Sequence, residues 1–106
     1  MVVAVKNLFA EFPAGGDGES FATLFENAGV KIERILSYSH SSLEGFWYDQ
    51  ADDEWVMVLR GNASLEFADG AMVELNPGDY LTIPRHVKHR VARTSNETIW
   101  LAVHVK

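Results

Sequence analysis

The 106-residue chain has no cysteine, which excludes disulfides, thiolate metal sites and a cysteine nucleophile. It is also short of positive charge. Nine Lys and Arg stand against fifteen Asp and Glu, for a formal net charge of −6 at pH 7. Nothing basic is clustered enough to neutralise a phosphate backbone, so nucleic acid is not an expected partner. Long apolar runs are missing too. No stretch approaches membrane-spanning length, and the apolar run within Met1–Lys6 is too short for a signal peptide. No membrane partner and a cytoplasmic location are therefore expected. What is there is a chain of ordinary domain size with 47% hydrophobic residues, enough to bury a core unaided. One small patch, Arg85, Lys88, Arg90 and Arg93, is suited to a carboxylate or phosphate on a small molecule.

The first thirty residues differ from the rest. Val2, Val3 and Val5 look like part of a strand, and Phe12-Pro13-Ala14-Gly15-Gly16-Asp17-Gly18 reads as a turn-rich connector. Phe21, Leu24, Phe25 and Ala28 then recur at helical spacing before Gly29, which predicts a short helix over Glu19–Ala28. From Val30 onward the pattern is strand and turn. Strands are predicted at Lys31–Tyr38, Gly45–Asp49, Trp55–Leu59, Ser64–Ala68, Ala71–Leu75, Tyr80–Ile83, His89–Thr94 and Thr98–Val105. Asp69-Gly70 supplies a hairpin turn and Asn76-Pro77-Gly78 a second one.

Eight short strands at this spacing predict an all-β sandwich or barrel, with room inside for side chains or one small ligand. Alternation then sorts the residues. If Glu54 points inward, Val56 and Val58 follow it, and an extended chain puts Gln50 and Tyr48 on the same side. His89 and Val91 share one face of their strand while Arg90 and Ala92 share the other.

Two segments carry the strongest signal. Glu54-Trp55-Val56-Met57-Val58-Leu59-Arg60-Gly61 opens on a carboxylate and closes on a glycine. Pro77-Gly78-Asp79, Ile83-Pro84 and His89 follow downstream. The pair resembles the two motifs of the cupin superfamily, over roughly Gly45 to Val105. The resemblance implies an all-β double-stranded β-helix, or jelly-roll barrel, with the short helix at its N-terminus. Residues 1–106 then form a single cupin domain, with an N-terminal strand and helix in 1–30 and the barrel in 31–106. In the family, a His-x-His pair precedes the glutamate. Here Tyr48 and Gln50 stand in its place with a three-residue spacing, and Trp47 and Asp49 with a four-residue spacing. His86 takes the position of a family glycine, and the Pro84, His86, His89 spacing is kept.

By the same resemblance, a divalent metal (Zn, Fe or Mn) would be held by Glu54 and His89 with Gln50 or Asp49. His104 or His86 would be sources of a second imidazole, although His104 reads first as a strand residue without a ligand role. His40 reads as a solvated loop residue. Without metal, Glu54 and His89 form the catalytic acid–base candidates, with Tyr48 as a donor. Tyr48, Gln50 and Trp47 are the ligand-binding candidates. Two function classes follow. One is a barrel that binds a small polar molecule. The other is a metal-dependent dioxygenase, isomerase or hydrolase acting on a small sugar-like or organic-acid substrate. The resemblance also implies a homodimer.

Overall fold

Antiparallel pairing, more than local propensity, decides this fold. The computed structural model of the chain describes residues 1–10 and 18–106. Its strands are β1 Gly18–Glu26, β2 Val30–Tyr38, β3 Asp53–Arg60 and β4 Ala63–Phe67. They continue with β5 Met72–Leu75, β6 Tyr80–Ile83, β7 His89–Thr94 and β8 Thr98–Val105. One sheet has the order β1-β2-β8-β3-β6 and the other β5-β4-β7, all antiparallel. No helix occurs among the described residues.

Two expectations are corrected here. The segment predicted as a helix, Glu19–Ala28, is strand β1 and its turn. Phe21 and Phe25 are four residues apart, a spacing that one helical turn and two strand repeats share, so local sequence does not separate them. Pairing does, because β1 lies along β2 from Gly18↔Tyr38 to Glu26↔Lys31 and satisfies backbone groups that β2 would otherwise expose. Gly29 caps no helix. It lies in the β1–β2 turn, where Asn27 Oδ1 accepts from the amides of Gly29 at 2.8 Å and Val30 at 2.9 Å. Nor do residues 1–10 contain a strand. Val2, Val3 and Val5 are exposed, and the Arg34 guanidinium donates to the Leu8 and Ala10 carbonyls instead. The expected connector lies outside the described residues except for Gly18, the first residue of β1.

Gly45–Asp49 is likewise not a strand. Only Tyr48 pairs, through a single bridge to His89. The remaining seven predicted strands are present with small shifts at their ends. The turn at Asn76-Pro77-Gly78 forms as read, with Asp79 N–H donating to Asn76 O. The hairpin at Asp69-Gly70 also includes Ala68, closed by Phe67 N–H donating to Ala71 O, and only Gly70 of the three takes a positive φ.

Alternate residues of the two sheets face each other. Val56 and Val58 from β3, Ile35 from β2, Trp100 from β8 and Leu65 and Val91 from β4 and β7 form the core. Every apolar side chain buried there removes surface from water, worth about 1.5–3 kcal/mol for a Val, Leu or Ile. Gly61 ends β3 with φ +78°, and a Cβ there would run into Glu97 O and Ser95 Oγ. That glycine is needed for both its backbone angle and its close packing.

Candidate functional site

Between the sheets the core gives way to a cavity of about 60 Å³, room for a few waters or a small organic molecule. Its polar wall comes from six places in the chain. β3 supplies Glu54, β7 His89, β8 His104, β2 Glu33 and β1 Glu19. Tyr48 and Gln50 line it from the segment before β3. The sheet register explains the grouping, since Glu54 pairs with His104, and Glu33 with Ala102 two residues away.

Glu54 lies at the centre of this wall, with its residue 7% exposed. Its Oε1 is 3.7 Å from His89 Nε2 and its Oε2 3.8 Å from His104 Nε2, both beyond hydrogen-bond length. Burial raises the Glu54 pKa to about 6; His104 opposes that rise while Glu33 and Glu19 add to it. His89 is 5% exposed. The Tyr48 ring stacks on it with centroids 5.4 Å apart, and Phe67 lies on it at 6.2 Å. Burial lowers the His89 pKa, partly offset by the Val87 carbonyl, so the ring is neutral at pH 7. Its Nδ1–H donates to Val87 O at 2.9 Å, which leaves Nε2 as a bare lone pair facing the cavity.

The surrounding donors are already engaged. Tyr48 O–H donates to Glu19 Oε1 at 3.4 Å, and burial together with Glu19 pushes the phenol up to about 12, so it stays protonated. Trp100 Nε1–H donates to Ser37 Oγ at 3.1 Å, and Ser37 O–H to Glu19 Oε2 at 3.1 Å. His104 Nε2–H donates to Glu33 Oε1 at 2.7 Å. Gln50 Oε1 is buried with no hydrogen-bond partner among the described residues.

Of the residues singled out in the sequence, Glu54, His89, Tyr48 and Gln50 line one cavity, with the shared face that alternation predicts. Two others do not. Asp49 is exposed and pairs with His86 at 2.8 Å, turned away from Glu54 by the same alternation that turns Gln50 inward. Trp47 is half-buried and does not line the cavity. His104 does line it, against the reading of a plain strand residue. His40 is not a solvated loop residue either: its backbone exchanges hydrogen bonds with the Thr94 hydroxyl, and its ring is 3.8 Å from Glu19. Glu19 and Glu33 are site residues that local sequence did not reveal, because only strand pairing brings them to Glu54.

Of the metal set implied by the family resemblance, Glu54, His89 and Gln50 line the cavity and Asp49 does not. No group of three or more His, Asp or Glu among the described residues is arranged to hold a metal ion. Asp49 points elsewhere, and His104 Nε2 is bound to Glu33. The anion-reading arginines are also elsewhere. Arg85 pairs with Asp53 at 3.4 Å, Arg90 with Glu66 at 2.8 Å, and Arg93 with Asn62 at 2.7 Å. None of them lines the cavity.

Comparison with known proteins agrees with this architecture. The Cupin domain family matches residues 42–104. The chain is a cupin. A Ralstonia eutropha JMP134 protein, provisionally named a mannose-6-phosphate isomerase, is 48% identical with a TM-score of 0.91, covering 98% of this cupin and 99% of that chain. Two more distant structures share the fold. A Neisseria meningitidis protein is 16% identical (TM-score 0.76, 97% of this chain and 100% of that one). A cupin superfamily protein from Desulfitobacterium hafniense DCB-2 is 20% identical (TM-score 0.76, 89% and 83%). No curated protein matches the sequence. No helix among the described residues of this cupin is long and apolar enough to cross a membrane.

Proposed function

We propose that this cupin binds a small polar molecule inside its barrel, against Glu54, His89, Gln50 and Tyr48. The observation that carries the reading is the unbonded pair Glu54 and His89. Two polar side chains, each more than nine-tenths buried, face one another across 3.7 Å without a hydrogen bond. Buried polar groups are ordinarily hydrogen-bonded, because leaving one unmet costs roughly 1–3 kcal/mol. A bound molecule that reaches both would recover that cost. It would also meet a neutral base and a carboxyl of pKa about 6, a combination suited to moving a proton at neutral pH.

The test is an NMR titration of the untagged chain with small amines, polyols, sugars and hydroxy acids, observing the rings of His89 and Tyr48. At least one class should shift both rings. No shift with any class would overturn the reading.

The 48% identity to the Ralstonia protein favours a second reading, an isomerase that shuttles a proton between neighbouring carbons. Conversion of mannose 6-phosphate by the purified chain would support it, and no turnover would remove it. A divalent metal would draw on Glu54 and His89 with Gln50 Oε1. Since no group of three His, Asp or Glu among the described residues is arranged to hold a metal ion, the proposed site needs no resident metal. The homodimer remains part of the proposal, supported by edge strand β1 with Phe21, Leu24 and Phe25 exposed. Light scattering would test it.

A further inference from the structure

The cavity offers acceptors and negative charge where an anionic substrate would need donors and positive charge. Three carboxyl groups line it, from Glu19, Glu33 and Glu54. No Lys or Arg does, and residues 11–17 contain neither. Lys31 comes within 3.8 Å of Glu33 Oε2 without lining the cavity. The donors of Trp100, Ser37, Tyr48 and His104 are spent on protein acceptors. Three acceptors facing the space have no hydrogen bond among the described residues. Among the described residues, Glu54 makes no hydrogen bond although its side chain is only 9% exposed, His89 Nε2 carries a lone pair, and Gln50 Oε1 has no partner.

Three acceptors around one space match the three N–H donors of an ammonium group. Resting on the small-molecule reading above, we infer that the ligand carries a protonated amino group, held by the Glu54 carboxyl, Gln50 Oε1 and His89 Nε2. The apolar wall of Ile35, Val56 and Val91 then takes its carbon skeleton. A phosphate or carboxylate would enter a space with no cation to meet it and three carboxyl groups to repel it. The phosphate in the name of the Ralstonia relative therefore finds no counterpart here.

Four probes of one skeleton separate the possibilities: 3-amino-1,2-propanediol, glycerol, glycerate and glycerol 3-phosphate, each titrated into the untagged full chain by calorimetry and NMR. The amine should bind roughly tenfold or more tighter than glycerol, as a charge-assisted hydrogen bond requires, and neither anion should bind. Glu54→Gln should remove the preference for the amine over glycerol. If Glu54→Gln does not fold by circular dichroism, Gln50→Leu should weaken amine binding in the same direction. Glycerol or an anion binding as tightly as the amine overturns the inference and leaves the small-molecule reading standing. Undiminished amine binding by the folded variant overturns the placement. No binding of any probe at the cavity overturns both readings.

Discussion

Glu54 Oε1 and His89 Nε2 face each other 3.7 Å apart inside the barrel, too far for a hydrogen bond, with both side chains more than nine-tenths buried. The relationship spans the two sheets, Glu54 on a strand of the five-stranded sheet and His89 on a strand of the other. Whatever fills the gap touches both sheets at once. Under the proposed reading, a ligand bound there would stabilise the barrel through that contact.

Glu54 makes stability depend on pH in a defined direction. Burial raises its pKa from 4.5 to about 6, so the folded chain holds this proton more tightly than the unfolded chain does. The resulting stabilisation is complete below pH 4.5 and is lost as pH rises through about 6. Glu54→Gln keeps a neutral group there at every pH. Its stability relative to the wild type should therefore rise by roughly 1–2 kcal/mol across that window. Urea denaturation at pH 5 and pH 7.5 measures it; a difference that does not change with pH would contradict the assignment.

Gly61→Ala should be among the more damaging single changes. The φ of +78° is strained for any L-residue, and the new methyl meets Glu97 O and Ser95 Oγ. A loss of about 2–4 kcal/mol follows from the two effects together. A thermal midpoint within a degree of the wild type would show that the loop adjusts freely.

The motif around Gly61 was legible because glycine, proline and alternation act locally. Glu54, Val56 and Val58 repeat at period two, so their shared inward face could be read before any pairing was known. The same rule carried His89 and Val91, and it reached back to Gln50 and Tyr48. It failed at Phe21 and Phe25, whose spacing suits helix and strand alike. It could not find Glu33 or His104 as site residues, because they meet Glu54 through pairing across β2, β8 and β3. Asp49 and Trp47 entered only as the four-residue alternative spacing of the family motif, and the backbone chose the three-residue phase.

His86 offers a control outside the cavity. It adopts φ +63°, a left-handed angle at the position where the family resemblance places glycine. His86→Gly relieves strain of about 1–2 kcal/mol and adds unfolded-state freedom worth roughly 0.5–1 kcal/mol. Losing its exposed pair with Asp49 costs little. Stability should change by less than about 1 kcal/mol by those terms, and ligand affinity not at all, because His86 does not line the cavity. A large fall in affinity would place the site at the Asp49–His86 pair instead.

Metal content gives a further outcome. Untagged protein soaked with zinc, iron and manganese and then desalted should retain well below one equivalent, since no group of three His, Asp or Glu among the described residues is arranged to hold a metal ion. Near-stoichiometric metal that disappears in His89→Ala would contradict the proposed site and restore the metalloenzyme reading.

The most direct measurement is the ring nitrogen spectrum of His89 in ¹⁵N-histidine-labelled chain, alone and with 3-amino-1,2-propanediol. Without ligand, Nδ1 should carry the proton at pH 7 and Nε2 should show the shift of an unprotonated nitrogen. Adding the amine should move the Nε2 signal toward the hydrogen-bonded range, while glycerol 3-phosphate leaves it in place. A protonated Nε2 in the free chain, or an Nε2 signal indifferent to every probe, would contradict a ligand site built on Glu54 and His89.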